Sequence, residues 1–384
     1  MALGSGAALL AACQPAAPAA PTSPPAPTSP PAPAATAAPK PTTAATTAPA
    51  APAATQAAPA KTTAQPAGQI PPELIDAAKK EGALTFYGAA TQDVYDKIFA
   101  DFQKDFPEVK VSATRVPTSG LKERVLTEFR SGRIQVDLVH ASSEIADLVS
   151  AGAVNPSAVP WEKDLSLAPA PDRLGVVADS LLSRHVVYNT NLLQKADLPK
   201  TWQDMLDPKW QGKLALELSS YEWYYALRET MKQSIGEERT RQFFAGLAKN
   251  VALREGSTQI MEFLAAGEFP INLDGYGHRY VAFKRDGAPF DIIMPQLEPV
   301  PLIPSYWAAM KGSPHPNAAK LAQHWILTDK GQAAELRADR IPIAKSVQNS
   351  PFTPLLTGVK TFAMHAGDLD YDAIAQEFNA VFKG

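Results

Sequence analysis

Ala83-Leu84-Thr85-Phe86-Tyr87-Gly88-Ala89-Ala90-Thr91 opens a stretch that runs to Val149 and sets the fold class. Ala83 to Tyr87 is short and apolar, as a strand requires. Gln92 to Phe106 then carries Val94, Ile98, Phe99 and Phe102 at the i, i+3, i+4 spacing of an amphipathic helix. The pattern repeats. Lys110 to Arg115 predicts a strand, Leu121 to Arg130 a helix, Val136 to His140 a strand, and the residues after Ala141-Ser142-Ser143 a helix through Val149. With a helix predicted over Pro72 to Glu81, this βαβαβα order specifies an α/β fold with a mostly parallel sheet covered by helices.

Ligands on such sheets gather where strands end and helices begin. The three turns at those ends are Gly88-Ala89-Ala90-Thr91, Pro117-Thr118-Ser119-Gly120 and Ala141-Ser142-Ser143, each bearing hydroxyls. Thr91, Ser119 and Ser143 fit two roles: helix N-caps, which Ser and Thr favour, or donors in a cleft. Three such turns on one sheet edge favour the cleft. Arg115, Arg254 and Arg279 are candidates to clamp a carboxylate in two-point fashion.

Outward from this core the chain changes character. Leu10-Ala11-Ala12-Cys13 places the only cysteine after an apolar run, and Gln14 to about Gly68 is almost entirely Ala, Pro and Thr. Small residues ahead of a cysteine suit lipoprotein processing, so Cys13 is expected to be acylated and residues 1–13 to be a signal segment, although residues 1–12 lack the usual Lys or Arg. Residues 14–69 cannot bury enough apolar surface to offset the entropy of ordering, and read as a disordered tether with locally extended polyproline character. The body is residues 70–384. Of 36 basic residues, Lys40 and Lys61 lie in the tether; the other 34 face 39 acidic residues, a net charge of −5 that disfavours nucleic acid as a partner. With Cys13 committed, disulfides, thiolate metal sites and a cysteine nucleophile are excluded.

The middle of the chain carries a family resemblance. Val186-Val187-Tyr188-Asn189-Thr190, Leu198-Pro199-Lys200-Thr201-Trp202, Asp207-Pro208-Lys209-Trp210-Gln211-Gly212-Lys213-Leu214-Ala215-Leu216, Gly256-Ser257-Thr258-Gln259, Ala266-Gly267-Glu268 and Gly312-Ser313-Pro314-His315-Pro316-Asn317-Ala318-Ala319 resemble type II periplasmic solute-binding proteins of ATP-binding-cassette importers, nearest the ferric-binding branch. On the residues alone, Pro199 and Pro208 are expected to stop helices, Trp202 and Trp210 to anchor apolar contacts, and Gly212 to turn the chain into a strand over Lys213 to Leu218. The resemblance implies two α/β lobes closing by a hinge, one of about residues 70–185 and 303–340, the other of about 190–300 and 345–384, with crossings near Tyr188, Leu302 and Ile343. It further implies a monomer that takes no cofactor and hands a small solute to a membrane permease.

The ferric-binding pattern uses an adjacent tyrosine pair, and the matching stretch, Ile271-Asn272-Leu273-Asp274-Gly275-Tyr276-Gly277-His278-Arg279-Tyr280, has none. Tyr276, His278 and Asp274 remain as the metal donors if ferric ion is bound. Tyr188, Tyr221, Trp223, Tyr306 and Trp307 supply aromatic surface, the usual lining of small-molecule clefts, so a carboxylated organic solute is preferred. Two other classes stay open: a tethered sensor domain, and a transferase on the same fold. The transferase lacks support, since no Gly-x-Ser-x-Gly elbow and no metal-ligand spacing among the six histidines is present.

Overall fold

The computed structural model describes residues 69–156, 159, 175–344, 350–364 and 370–384; Cys13, nearly all of the expected tether and the side chains of Thr118 and Ser119 lie outside that description. The first part of the body is α1 (Pro72–Glu81), β1 (Ala83–Gly88), α2 (Gln92–Asp105), β2 (Lys110–Arg115), α3 (Thr118–Arg130), β3 (Leu138–Ala141) and α4 (Glu144–Ser150). A long strand, β4 (Val177–Asn189), leads to β5 (Leu214–Glu217), α5 (Tyr221–Ile235), α6 (Glu237–Ala248), β6 (Val251–Arg254), α7 (Ser257–Ala266), β7 (Ile271–Tyr276), α8 (Gly277–Arg285) and β8 (Phe290–Ile292). The chain returns through β9 (Val300–Ala309), α9 (Pro316–Ile326), α10 (Asp329–Arg337), β10 (Ile341–Pro342), α11 (Thr353–Leu356), β11 (Thr361–Ala363) and α12 (Tyr371–Phe382).

The strands order as β2-β1-β3-β9-β4-β7-β5-β6, with β8 and β10 also on β4 and β11 on β9. β1 runs parallel to β2 and β3, and β5 parallel to β6 and β7. The joining strands β9 and β4 are antiparallel to each other and to β3, β7, β8 and β10, while β11 runs parallel to β9, which makes the sheet mixed. β4 serves both halves. From Val177 to Ser183 it pairs with β9, and from Arg184 to Asn189 with β7 and β8. The exchange therefore falls at Ser183/Arg184, ahead of the crossing expected near Tyr188, because Tyr188 is already paired with Ile271 and Asp291.

Apolar spacing accounts for the layers. α2 buries Val94, Tyr95, Ile98, Phe99 and Phe102 in one stripe, and these rings meet Phe86 of β1, Trp307 of β9 and Trp325 of α9. Each fully buried ring contributes about 1.5–3 kcal/mol relative to an exposed one. A second cluster gathers Trp202, Trp210, Trp223, Tyr224, Phe244 and Phe378, so the last helix closes the far half. Trp202 and Trp210 are buried there, and their indole N–H groups donate to Glu298 O (2.8 Å) and Asp204 O (3.0 Å). The 3₁₀ segments Lys195–Asp197 and Trp202–Leu206 end ahead of Pro199 and Pro208, and Pro208 in turn opens the 3₁₀ turn Pro208–Trp210, where its fixed φ suits the first position. Gly212 does turn the chain, at φ +68°.

Candidate binding cleft

Six helices, α2, α3, α4, α5, α7 and α8, begin directly after the strands β1, β2, β3, β5, β6 and β7. Their starts come from both halves of the sheet. Between them lie two adjoining cavities of about 490 Å³ and about 460 Å³. Both are bounded by Ser143, Glu144, Glu217, Glu222, Ser257 and Tyr276, so they form one continuous cleft.

Close backbone approach shapes its rim. A Cβ at Gly88 would sit 2.1 Å from the Tyr95 hydroxyl, which accepts from Ala90 N–H at 2.7 Å and meets His140 Nδ1 at 2.9 Å. Only glycine leaves room for that ring beneath the first turn. Gly277, at the start of α8, lies against Ser183 and His185 in the same way.

Of the residues selected from sequence, Thr91, Arg115, Ser142, Ser143, Tyr276, His278 and Arg279 line the cleft, and Tyr221 lines its smaller cavity. Neither Thr91 nor Ser143 accepts a cap hydrogen bond from its helix. Ser119 is the second residue of α3, whose N-cap is Pro117, and its side chain lies outside the described residues. Four aromatic assignments are corrected. Tyr188, Trp223, Tyr306 and Trp307 are core residues, each at most 4 % exposed. Trp223 packs edge-on against Trp202 and Phe244, and Trp307 lies tilted against Phe86 and Phe99, because large rings on these strands and helices gain more from burial than from facing solvent. Arg254 does not line either cavity; it pairs with Glu268 at 3.3 Å and lies over Phe269.

Sequence reasoning passed over Arg184, Arg340, Glu144, Glu217, Glu222 and Tyr371, all of which line the cleft. One signal was available: Arg184 stands between the apolar pairs Leu181-Leu182 and Val186-Val187, and a charge in a buried strand needs a partner. Its Nη1 donates to Asp274 Oδ2 at 3.0 Å, its Nη2 lies 3.6 Å from Glu222 Oε2, and its guanidinium stacks 3.5 Å over the Tyr276 ring. Ser220 Oγ also donates to Asp274 Oδ2, at 2.5 Å, and the Tyr371 hydroxyl donates to Glu222 Oε1 at 2.7 Å. Burial pushes the Asp274 carboxyl up to about 7, against the opposing pull of Arg184 and Ser220. At the larger cavity Arg340 Nη2 donates to Ser305 Oγ at 2.9 Å, while the buried Nε atoms of Arg340 and Arg279 and Nδ1 of His278 have no partner.

These donors do not suit a bare ferric ion. Asp274 is engaged by Arg184 and Ser220 and is not part of the cleft lining. Burial raises the Tyr276 phenol well above its ordinary range, which opposes formation of a tyrosinate, and burial with three neighbouring arginines holds His278 neutral. Among the described residues no three His, Cys, Asp or Glu side chains gather to hold a metal. Guanidinium groups, hydroxyls, a neutral imidazole and the carboxyls of Glu144, Glu217 and Glu222 instead line one space.

Residues 88–333 match the model of the bacterial extracellular solute-binding proteins. The chain belongs to this family. Its members bind solutes rather than transform them. The Fe(3+)-binding periplasmic protein of Serratia marcescens is 24 % identical over 215 residues, 55 % of this chain and 61 % of that one. The chain spans less than two thirds of the length of the curated relatives it matches. Among solved structures, iron-bound HitA from Pseudomonas aeruginosa aligns with a TM-score of 0.60 at 19 % identity, covering 78 % of this chain and 98 % of that one. AfuA from Actinobacillus pleuropneumoniae, with fructose-6-phosphate bound, aligns with a TM-score of 0.62 at 19 % identity, covering 79 % and 99 %. At this identity the structural likeness shows the fold, that of type II periplasmic binding proteins. No helix of the described residues in this solute-binding protein is long and apolar enough to cross a membrane.

Proposed function

We propose that this solute-binding protein is the lipid-anchored receptor of an ATP-binding-cassette importer, capturing a small anionic organic solute, preferentially a carboxylate, and passing it to a membrane permease. Cys13 is the acylation site, and the lobes are about residues 70–185 with 303–340 and about 190–300 with 345–384. The observation that carries the solute class is the convergence of Arg115, Arg279 and Arg340 on the larger cavity, with buried Nε atoms of two of them unpartnered. Leaving a buried cationic donor unsatisfied is costly, and an anion in the cavity would satisfy it. AfuA, of the same fold, was crystallised with an organic phosphate, so the scaffold accommodates such chemistry.

The iron-binding relatives favour one competing reading, ferric ion held directly by protein donors. Titration of the purified protein separates the two. Organic anions should raise its melting temperature, and Arg340→Gln should weaken their binding by roughly ten- to a hundredfold, the loss of one charge-assisted hydrogen bond. Ferric ion alone should give no tyrosinate charge-transfer band. A purple-red band on adding iron, abolished by Tyr276→Phe, would restore the ferric reading.

A further inference from the structure

On the reading just proposed, the cleft also constrains the rest of the solute. The wall common to the two cavities is acidic: Glu144, Glu217 and Glu222 all stand in it. Beyond that waist, the remainder of the larger cavity is lined by Arg115, Arg279 and Arg340 and by no carboxylate. The two charges are thus segregated within the larger cavity, while the smaller one also carries Arg184 and Lys122, the latter paired with Asp147 at 2.9 Å.

The acids are undercompensated. Glu222 has Tyr371 and a share of Arg184, but Arg184 lies closer to Asp274, at 3.0 Å against 3.6 Å. Among the described residues neither Glu144 nor Glu217 has a basic partner within 4.0 Å. Burial raises both carboxyls above their ordinary range and the charge of Glu222 adds to the rise, which prevails at Glu217 over the opposing charges of Arg184 and Arg279. On the other side Arg340, 5 % exposed, presents an Nε without a partner, which independently marks the space as one that a ligand completes.

A solute with only an anionic group would satisfy the arginines while bringing a further negative charge toward three carboxylates. A neutral hydroxylated tail would hydrogen-bond to the acids but leave their mutual repulsion in place. An ammonium removes it, and the rings of Tyr221, Tyr276 and Tyr371 lining the smaller cavity offer apolar and cation–π surface beside it. We propose that the solute is dipolar, with an ammonium seated among Glu144, Glu217 and Glu222 and a carboxylate or phosphate held by Arg279 and Arg340.

Matched pairs of probes test this on the intact protein by calorimetric titration: 4-aminobutyrate against butyrate, and phosphoethanolamine against ethyl phosphate. The amino member of at least one pair should bind roughly tenfold tighter or more than its partner. That ratio should fall toward one in the Glu144→Gln/Glu217→Gln variant, with circular dichroism confirming its fold. Equal affinities within both pairs in the wild type would overturn the dipolar assignment and leave the anionic reading standing. A preference that survives the double substitution would remove the acidic waist as its source. Failure of all four probes to bind at millimolar concentration would take down the anionic reading, and this one with it.

Discussion

At the residue scale the cleft is organised by a charge that the strand pattern conceals. Arg184 occupies a position in β4 where an apolar residue would pair as well with β7, yet it holds Asp274, Glu222 and the Tyr276 ring in one network. The spacing of the sequence reveals neither partner, because Asp274 and Glu222 reach Arg184 only once β7 and α5 are in place. Removing one member of a buried pair leaves the other uncompensated, so Asp274→Ala should cost about 3–5 kcal/mol in denaturant unfolding. Asp274→Asn keeps an acceptor for Arg184 and Ser220 and should be much milder. The pH dependence has a definite sign. The Asp274 carboxyl lies near 7, above its value in the unfolded chain, so its stabilisation is complete below about pH 4 and is lost as pH rises through 7. Relative to wild type, Asp274→Asn should therefore gain stability between about pH 4 and pH 8. A constant difference across that range would refute the assignment.

At the scale of elements, the strands that end at the cleft were the most legible part of the chain. The period-3.6 stripe in α2 and the apolar runs of β1 and β3 made the first half readable, and their turns lie on the cleft as the βαβ rule requires. The aromatic segments were not readable in the same way. A ring beside a strand end satisfies either a core or a pocket, and Trp223, Tyr306 and Trp307 went to the core. β4 and β9 carry the mechanical consequence. Each passes from one half to the other, and β4 exchanges all its partners between Ser183 and Arg184, which leaves these strands as the place where a hinge can bend. Binding of an organic anion should reduce the radius of gyration in solution scattering and raise the melting temperature together. A rise in melting temperature without compaction would leave capture intact and remove the hinge.

At the scale of the whole molecule, composition alone divides the chain into two unlike parts. A segment of Ala, Pro and Thr without an aromatic or acidic residue cannot supply a core, and Cys13 stands at its head. The proposed anchoring through that thiol has a direct test: Cys13→Ser should move the protein from the membrane to the soluble fraction of cells, and continued membrane association at high salt would exclude acylation as the anchor. The sequence by itself determined the α/β class, the core-less composition of the N-terminal segment, the family and the turns that face the cleft, since all of these follow from local periodicity, composition and short motifs. The tertiary structure alone decided which charges meet. Glu144, Glu222, Arg184, Arg279 and Arg340 are brought around one space by long-range strand pairing, with Asp274 held behind Arg184, and because burial and proximity set electrostatic energy, the character of the site emerges only when the two halves of the sheet are joined through β4.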